Sequence, residues 1–482
     1  MKNILHLEIL RKSGRLIKAF LVKNYVFYSF LVLEIVLFSF LNGKNTLMHG
    51  ILPYYQDFAN YFGSGWDSCY IFELNSPTFP MWGYGAILFL FEKKYLLLVV
   101  FQQLFTIFTI YTLLSFLKKL NFNKSVCDYT KIILLLFGFP WFIFHSVIWP
   151  YSVSANLLVL GLIYLSLGLQ NSSFKFFVYS SVCYGILLNF RSDYIYHYFF
   201  LSCFLILHLF FRNRKNLTKG FTWIAIVMLF LVPWGLHSKR ETGNYLLSST
   251  NSGHVLFISL GQLPNNVWGI TPEDGDPIMK SIVKSKFGEN AKSLTFGPDK
   301  ELKRAWLKNI RQYPKEFFRK CGYNIYLTFV RPFTNGEIYK FFIEDDLEQM
   351  MMKNEIKSDI EKKDFRSLLN RSFSSRYRGF FIPILLNIFS ISIFIFFVIL
   401  IIMGLFKFRS GIWSNWTLFS IYSVVCYQIA LQTIAYYNPN YHTNIFLFYV
   451  IISALVLGNY KYDVKEKLSE NDLPVIIEDD FV

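Results

Sequence analysis

Cysteine is scarce in this chain: six residues in 482, with no CxxC pair and no metal-ligand spacing. That scarcity excludes a zinc module and a disulfide-built scaffold. Cys127, Cys183, Cys203 and Cys426 lie in or beside apolar runs; Cys69 and Cys321 fall in segments expected on the outer side, where a disulfide between them is open. Charge is thin as well, at 17%. Acids and bases are nearly missing from the apolar runs, Glu34 in the first being the main exception. An ion-coupled carrier buries more of them. The internal repeat that secondary transporters carry is also missing. Met1–Asn24 is basic, with no apolar core ahead of the first long run, so no cleavable signal is expected.

What is abundant is apolar surface. Hydrophobic residues make up 54% and aromatics 20%, and the mean hydropathy is +0.36. Runs long enough to cross a bilayer recur at Tyr25–Leu41, Tyr95–Phe116, Ile132–Trp149, Ser154–Gly168 and Phe176–Phe190. They continue at Tyr194–Phe211, Phe221–Leu236, Phe381–Phe406, Trp413–Leu431 and Asn444–Leu457. The expected fold is an all-α polytopic membrane protein with about ten crossings. The net charge of +16 fits basic loops and anionic lipid better than nucleic acid.

Orientation turns on Met81–Phe91, a short apolar piece closing the first polar loop. If it only dips into the membrane edge, Lys118, Lys119, Lys124 and Lys131 share a side with Arg212, Arg214, Lys215, Lys219, Lys407 and Arg409. The short loops Trp149–Val153 and Tyr436–Tyr441, free of Lys and Arg, then fall on the other side. The positive-inside rule selects the dip and makes both termini cytoplasmic. The chain divides into a transmembrane module at 1–236 with an outer loop at 42–94, an extracytoplasmic segment at 237–378, further spans at 379–459 and a cytoplasmic tail at 460–482. Asp299–Gln312 and Tyr313–Phe329 read as amphipathic helices able to lie on the membrane surface. Phe-, Ile-, Lys- and Asn-rich usage points to an AT-rich bacterial source, hence a bacterial cytoplasmic membrane.

The chemistry is expected in the outer loops. Asn42–Gly85 holds Asp57, Asp67, Glu73 and His49 among tyrosines. The segment after Phe221–Leu236 reads as a span ending at Pro233–Trp234, then Lys239 and Arg240, then a turn at Ser248–Gly253 before a strand-like apolar piece. Pro233, Trp234, Arg240, Gly243 and Thr250–Gly253, in that order, resemble a motif series of the GT-C superfamily of polyprenyl-phosphate-dependent glycosyltransferases, in the aminoarabinose transferase and protein O-mannosyltransferase group (glycosyltransferase family 39-like). Tyr55, Ala59 and Gly63, the Pro-rich stretch at 76–85, Asn189–Asp193 and Ala305–Phe317 are similar to further motifs of that group. The resemblance spans most of residues 24–335.

It implies a GT-C-like bundle with a membrane-edge helix in the first outer loop and a mixed outer soluble segment. The implied enzyme moves a sugar from a polyprenyl phosphate to a lipid-linked glycan, polysaccharide or protein at the outer face. Its partners are the lipid donor, the acceptor and membrane lipid, with no nucleic acid. A flippase- or polymerase-like transporter, or an inactive scaffold, are the other readings. Two departures matter. The Asp-Glu that the group carries before its tyrosine is missing near Ile51, and Trp149-Pro150 stands where aminoarabinose transferases carry Asp-Pro.

Inverting transfer needs a carboxylate to take the acceptor's proton and cations for the departing phosphate. Asp57, Asp67 and Glu73 are the candidate carboxylates. Arg191, Lys239 and Arg240 are the candidate phosphate and lipid-donor contacts, against simple pairing of Arg191 with Asp193 and ordinary interfacial placement of the other two. His49, Tyr55, Trp82 and Asn251 are candidate substrate contacts. No metal-ligand set is present; some relatives use a divalent ion, so a divalent cation stays open as cofactor.

Overall fold

The apolar runs become helices because in hydrocarbon each backbone N–H and C=O must find its partner within the segment. The structure is a computed structural model. It describes residues 24–42, 78–79, 81–91, 94–119, 124–145, 148–333, 355, 364, 366–367, 370–371, 378–413 and 415–458. Among the described residues every regular element is helical. Six helices among the described residues are long and apolar enough to cross a membrane, and three further apolar ones are shorter. The chain is therefore a helical, membrane-embedded protein.

In order, the first half comprises α1 (Asn24–Asn42), α2 (Gly83–Phe91), α3 (Tyr95–Lys119), α4 (Lys124–Phe137), α5 (Phe139–His145), α6 (Pro150–Gln170), α7 (Phe174–Phe190), α8 (Tyr194–Arg212) and α9 (Leu217–Thr242). Then come α10 (Ser252–Ser259), α11 (Pro277–Phe287), α12 (Phe296–Gln312) and α13 (Pro314–Val330). The chain closes with α14 (Arg378–Ile412), α15 (Trp416–Ile434), α16 (Asn440–Asn444) and α17 (Phe446–Leu457).

Three expectations change. The run at Ile132–Trp149 is two helices, α4 and α5, because Pro140 has no N–H to carry the helix across Gly138. Pro233 does not end its helix: α9 runs on to Thr242, membrane helices tolerating an internal proline where neighbours satisfy the freed carbonyl. The piece after the turn is helix α10, not a strand. A short apolar run has no period of its own, and tertiary contacts decided its form.

Helix α6 is the axis of the bundle. It starts on Pro150 after the extended Trp149, and nearly every side chain on it is buried. It packs on α3 and α7; Ser180 of α7 donates to the Gly161 carbonyl (2.7 Å), and Trp223 of α9 donates to that serine (2.8 Å). Trp141, Trp223 and Trp234 are fully buried; truncating any of them to alanine is expected to cost about 3–5 kcal/mol.

The bundle has two unlike ends. Thr106 of α3 meets Asn156 of α6, and Leu113 and Leu117 lie beside Leu162 and Ser166 further along, so α3 and α6 run parallel. Helix α2 packs beside the start of α3, with Tyr84 donating to Gln102 (3.0 Å) and Phe91 against Phe101. Its nine residues reach about 13 Å, and both its ends stay at the end where α6 begins. Lys118, Lys119, Lys124, Lys131, Arg212, Arg214 and Lys407 gather at the opposite, basic end, where Gly458 lies against Val126.

Interior polarity follows the same division. The first end holds Gln102, Thr106, His145, Asn156, Asn189, Arg191, Gln428, Gln432, His442 and Asn444, all buried. The basic half is filled mainly by leucine, isoleucine, valine and aromatic side chains, with Thr130, Lys131 and Asn216 buried toward its end. Among the described residues its serines mostly bond back to main chain, as Ser181 does to Phe177 and Ser202 to Tyr198.

A second, smaller core of Phe257, Leu260, Trp268, Ile270, Met279, Val283 and Leu302 unites α10, α11 and α12 outside the bundle. Asp276 starts α11, accepting from the Met279 N–H (2.7 Å) ahead of Pro277 at the first helical position.

Candidate functional site

At the end where α6 begins, four chain segments meet, and the contacts are made by polar side chains flanking helix ends. Thr78, at the close of the first loop, is buried against Thr250. The Thr250 N–H donates to the Thr78 carbonyl (3.0 Å) and the Thr78 hydroxyl donates to that of Thr250 (2.7 Å), which in turn donates to the Leu294 carbonyl (2.6 Å). Trp82 donates to the Asn189 side chain (2.7 Å), and its ring lies edge-on to Trp234. Asn189 spends its own amide on the Gly185 and Phe230 carbonyls. Helix α2 reaches Asn189 only because Gly83 has no side chain: a Cβ there would lie 2.7 Å from the Asn189 carbonyl oxygen. Ser192 and Ser249 share a hydrogen bond of 2.8 Å.

Arg191, at the C-terminus of α7, is buried in a box of rings. Its guanidinium lies 3.9 Å from the centre of Tyr151, 5.0 Å from Tyr441 and 5.6 Å from Tyr194. Asp193 takes the guanidinium with both oxygens, one at 2.8 Å from Nε. Tyr427 donates to the Asp193 carbonyl. Of the two expectations for Arg191, pairing with Asp193 is what the structure has. Its Nη1 remains buried without a hydrogen-bond partner.

Lys239 and Arg240 occupy the last turn of α9, where cations oppose the negative pole of the helix. Both are exposed, and Arg240 lies 3.5 Å from Glu241. Gly243 closes the helix in the left-handed conformation, φ +72°. Asn251 precedes α10, but its side chain makes no capping bond. That work falls to Asp299 of α12, which accepts from the Gly253 and His254 N–H groups (2.7 and 3.2 Å). Burial pushes the Asp299 carboxyl up, against those two hydrogen bonds. His254 is clamped between Ser293 and Asp274, each at 2.9 Å, and its hydrogen bond holds the Asp274 carboxyl below its usual range.

Asp57, Asp67, Glu73, His49 and Tyr55 lie outside the described residues. Trp82, Arg191 and Asn251 are brought to one end of the bundle with Lys239 and Arg240. Sequence reasoning missed Thr78, Asn189, Asp299 and the tyrosine box. Asn189 and Thr78 sat inside noted stretches and Asp299 opened a noted helix, though none was given its role; the tyrosine box carries no local signal. Cys321 is a free thiol, and Cys69 lies outside the described residues. Among the described residues no group of His, Cys, Asp and Glu is placed to hold a metal ion.

The fold and this site define a class: a helical membrane protein whose buried polar side chains gather mainly at one end of its bundle. Comparison with known proteins gives no match to a family, to a curated protein or to a solved structure.

Proposed function

We propose that the chain is a GT-C-like glycosyltransferase of about ten crossings, with both termini cytoplasmic and its polar end outside. It moves a sugar from a polyprenyl phosphate to a glycan, lipid or protein acceptor. The observation that carries this reading is the Thr78–Thr250 junction. It joins the first loop to the segment after α9, while Trp82 meets Asn189 and Ser249 meets Ser192. Three stretches picked out by their resemblance to one enzyme group thus lie side by side.

Arg191, neutralised by Asp193, positions the α7–α8 turn, and the exposed Lys239 and Arg240 are the cations left to meet a departing phosphate. The acid that takes the acceptor's proton comes from Asp57, Asp67 or Glu73, whose loop ends at Thr78. The apolar basic half favours a one-sided site over a conduit.

The test is transfer by the purified full-length protein from a panel of polyprenyl-phosphate sugars, with product read by mass spectrometry. Wild type is expected to transfer one of them, and Asp57→Asn to lose at least a hundredfold, about the value of a general base. Full activity in Asp57→Asn moves the role to Asp67 or Glu73, tested alongside. No transfer from any donor sinks the proposal.

A further inference from the structure

Helix α12 keeps its apolar side on the small outer core and turns a row of cations away from it. Lys300, Lys303, Arg304, Lys308 and Arg311 are all exposed on that side, with Leu307 among them. The helix's two acids are withdrawn: Asp299 is buried on the α10 N-terminus and Glu301 is mostly covered beside Lys286 and Arg304. The row covers about 16 Å of helix.

The exposed positions continue past the elbow at Tyr313 with the same three- and four-residue spacing, but their chemistry changes. Past Lys315, with Arg319 still among them, come Phe318, Ile325, Tyr326 and Phe329, all exposed, Phe318 by 73%. Two contacts fix the level of this apolar row. Phe329 packs edge-on to Phe394, well inside the membrane-length stretch Leu385–Arg409 of α14. At the other end, Lys320 is buried on the carbonyls of Thr433, Ile434 and Ala435, where α15 ends. From Phe329 back to Arg319 the helix rises about 15 Å, half the thickness of a hydrocarbon core.

We infer that the α12–α13 elbow is a docking surface for an anionic phospholipid leaflet. Helix α13 occupies one leaflet, its aromatic row in acyl chains. Lys315, Arg319, Arg311, Lys308 and Arg304 meet the phosphates above. Charge complementarity selects the partner. Against these five cations stand only two covered acids, Glu301 beside Arg304 and Glu316 beside Arg319. The row therefore stays net positive and needs a polyanion, and the apolar row that continues it needs hydrocarbon. A soluble acidic glycan would satisfy the cations and leave the aromatic row in water. This inference does not depend on glycosyl transfer.

The test uses the full-length protein in mixed micelles with equal phosphatidylglycerol and phosphatidylcholine, counting retained lipids by native mass spectrometry. The proteins compared are wild type, Arg304→Gln/Lys308→Gln/Arg311→Gln, and the charge-keeping Arg304→Lys/Lys308→Arg/Arg311→Lys. Wild type and the charge-keeping variant are expected to retain phosphatidylglycerol preferentially. Each cation removed should weaken that preference about fivefold at low salt. A second readout is a nitroxide at Phe329→Cys, expected to be relaxed by oxygen dissolved in the bilayer and shielded from an aqueous nickel chelate. An unchanged lipid preference in the Gln variant overturns the proposal. So does a nickel-accessible position 329, or a stripe that dextran sulfate occupies while lipid composition has no effect.

Discussion

Lys320 offers the sharpest prediction because two physical effects oppose each other at one atom. Its ammonium is out of water and donates to the last three carbonyls of α15, beside Asn324, which donates to Gln432. Burial pulls its pKa down to about 7 from an ordinary 10.5. The carbonyls, at the negative pole of α15, pull the other way. With the folded pKa the lower, the unfolded chain binds the extra proton between the two values. Stability therefore rises with pH through that window. At 1.36 kcal/mol per unit, wild type should gain roughly 2–3 kcal/mol from pH 7 to pH 9. Lys320→Met keeps the stem and removes the titration. The stability difference between wild type and variant, from unfolding in mixed detergent–SDS micelles followed by circular dichroism, should widen by that amount. Even at pH 7 the variant leaves three carbonyls short of a donor, an expected loss of about 1–3 kcal/mol. A difference that is flat from pH 7 to 9 would show that the carbonyls hold the lysine charged, and would refute the reasoning.

Asp193→Asn strands the boxed Arg191 guanidinium, with an expected cost of about 3–5 kcal/mol in the same assay. Adding Arg191→Met should recover most of it; no recovery would mean that Asp193 matters for something other than the charge. Asp299→Ala should loosen the α10 N-terminus by about 1–2 kcal/mol, read as faster amide exchange at Gly253 and His254 with α11 unaffected. Thr78→Val and Thr250→Val should each cost about 1 kcal/mol. A double-mutant cycle should couple them, and zero coupling would separate the two loops.

Much of the bundle was legible because hydrocarbon length is written directly in apolar runs. The basic residues that the charge rule put on one side share one end of the bundle. Pro233 misled because a proline that ends a helix in water is tolerated in a packed membrane bundle. The HVLFISLG run misled because its helix is capped from forty-six residues away by Asp299, and no local pattern records a partner that distant. The Arg191–Asp193 pair was visible as two charges near each other in sequence. The ring box around it was not, since Tyr151 and Tyr441 come from α6 and α16 and are ordinary aromatics in an aromatic-rich chain.

The uneven interior has an electrical consequence. A transmembrane voltage falls mainly across the least polarisable layer, which here is the leucine- and phenylalanine-filled basic half. A full crossing is worth about 2.3 kcal/mol per charge per 100 mV. A proton or phosphate shifting beside Arg191 would traverse only a sliver of that field. The transfer proposed above, if run at the polar end, would be insulated from how strongly the cell has energised its membrane.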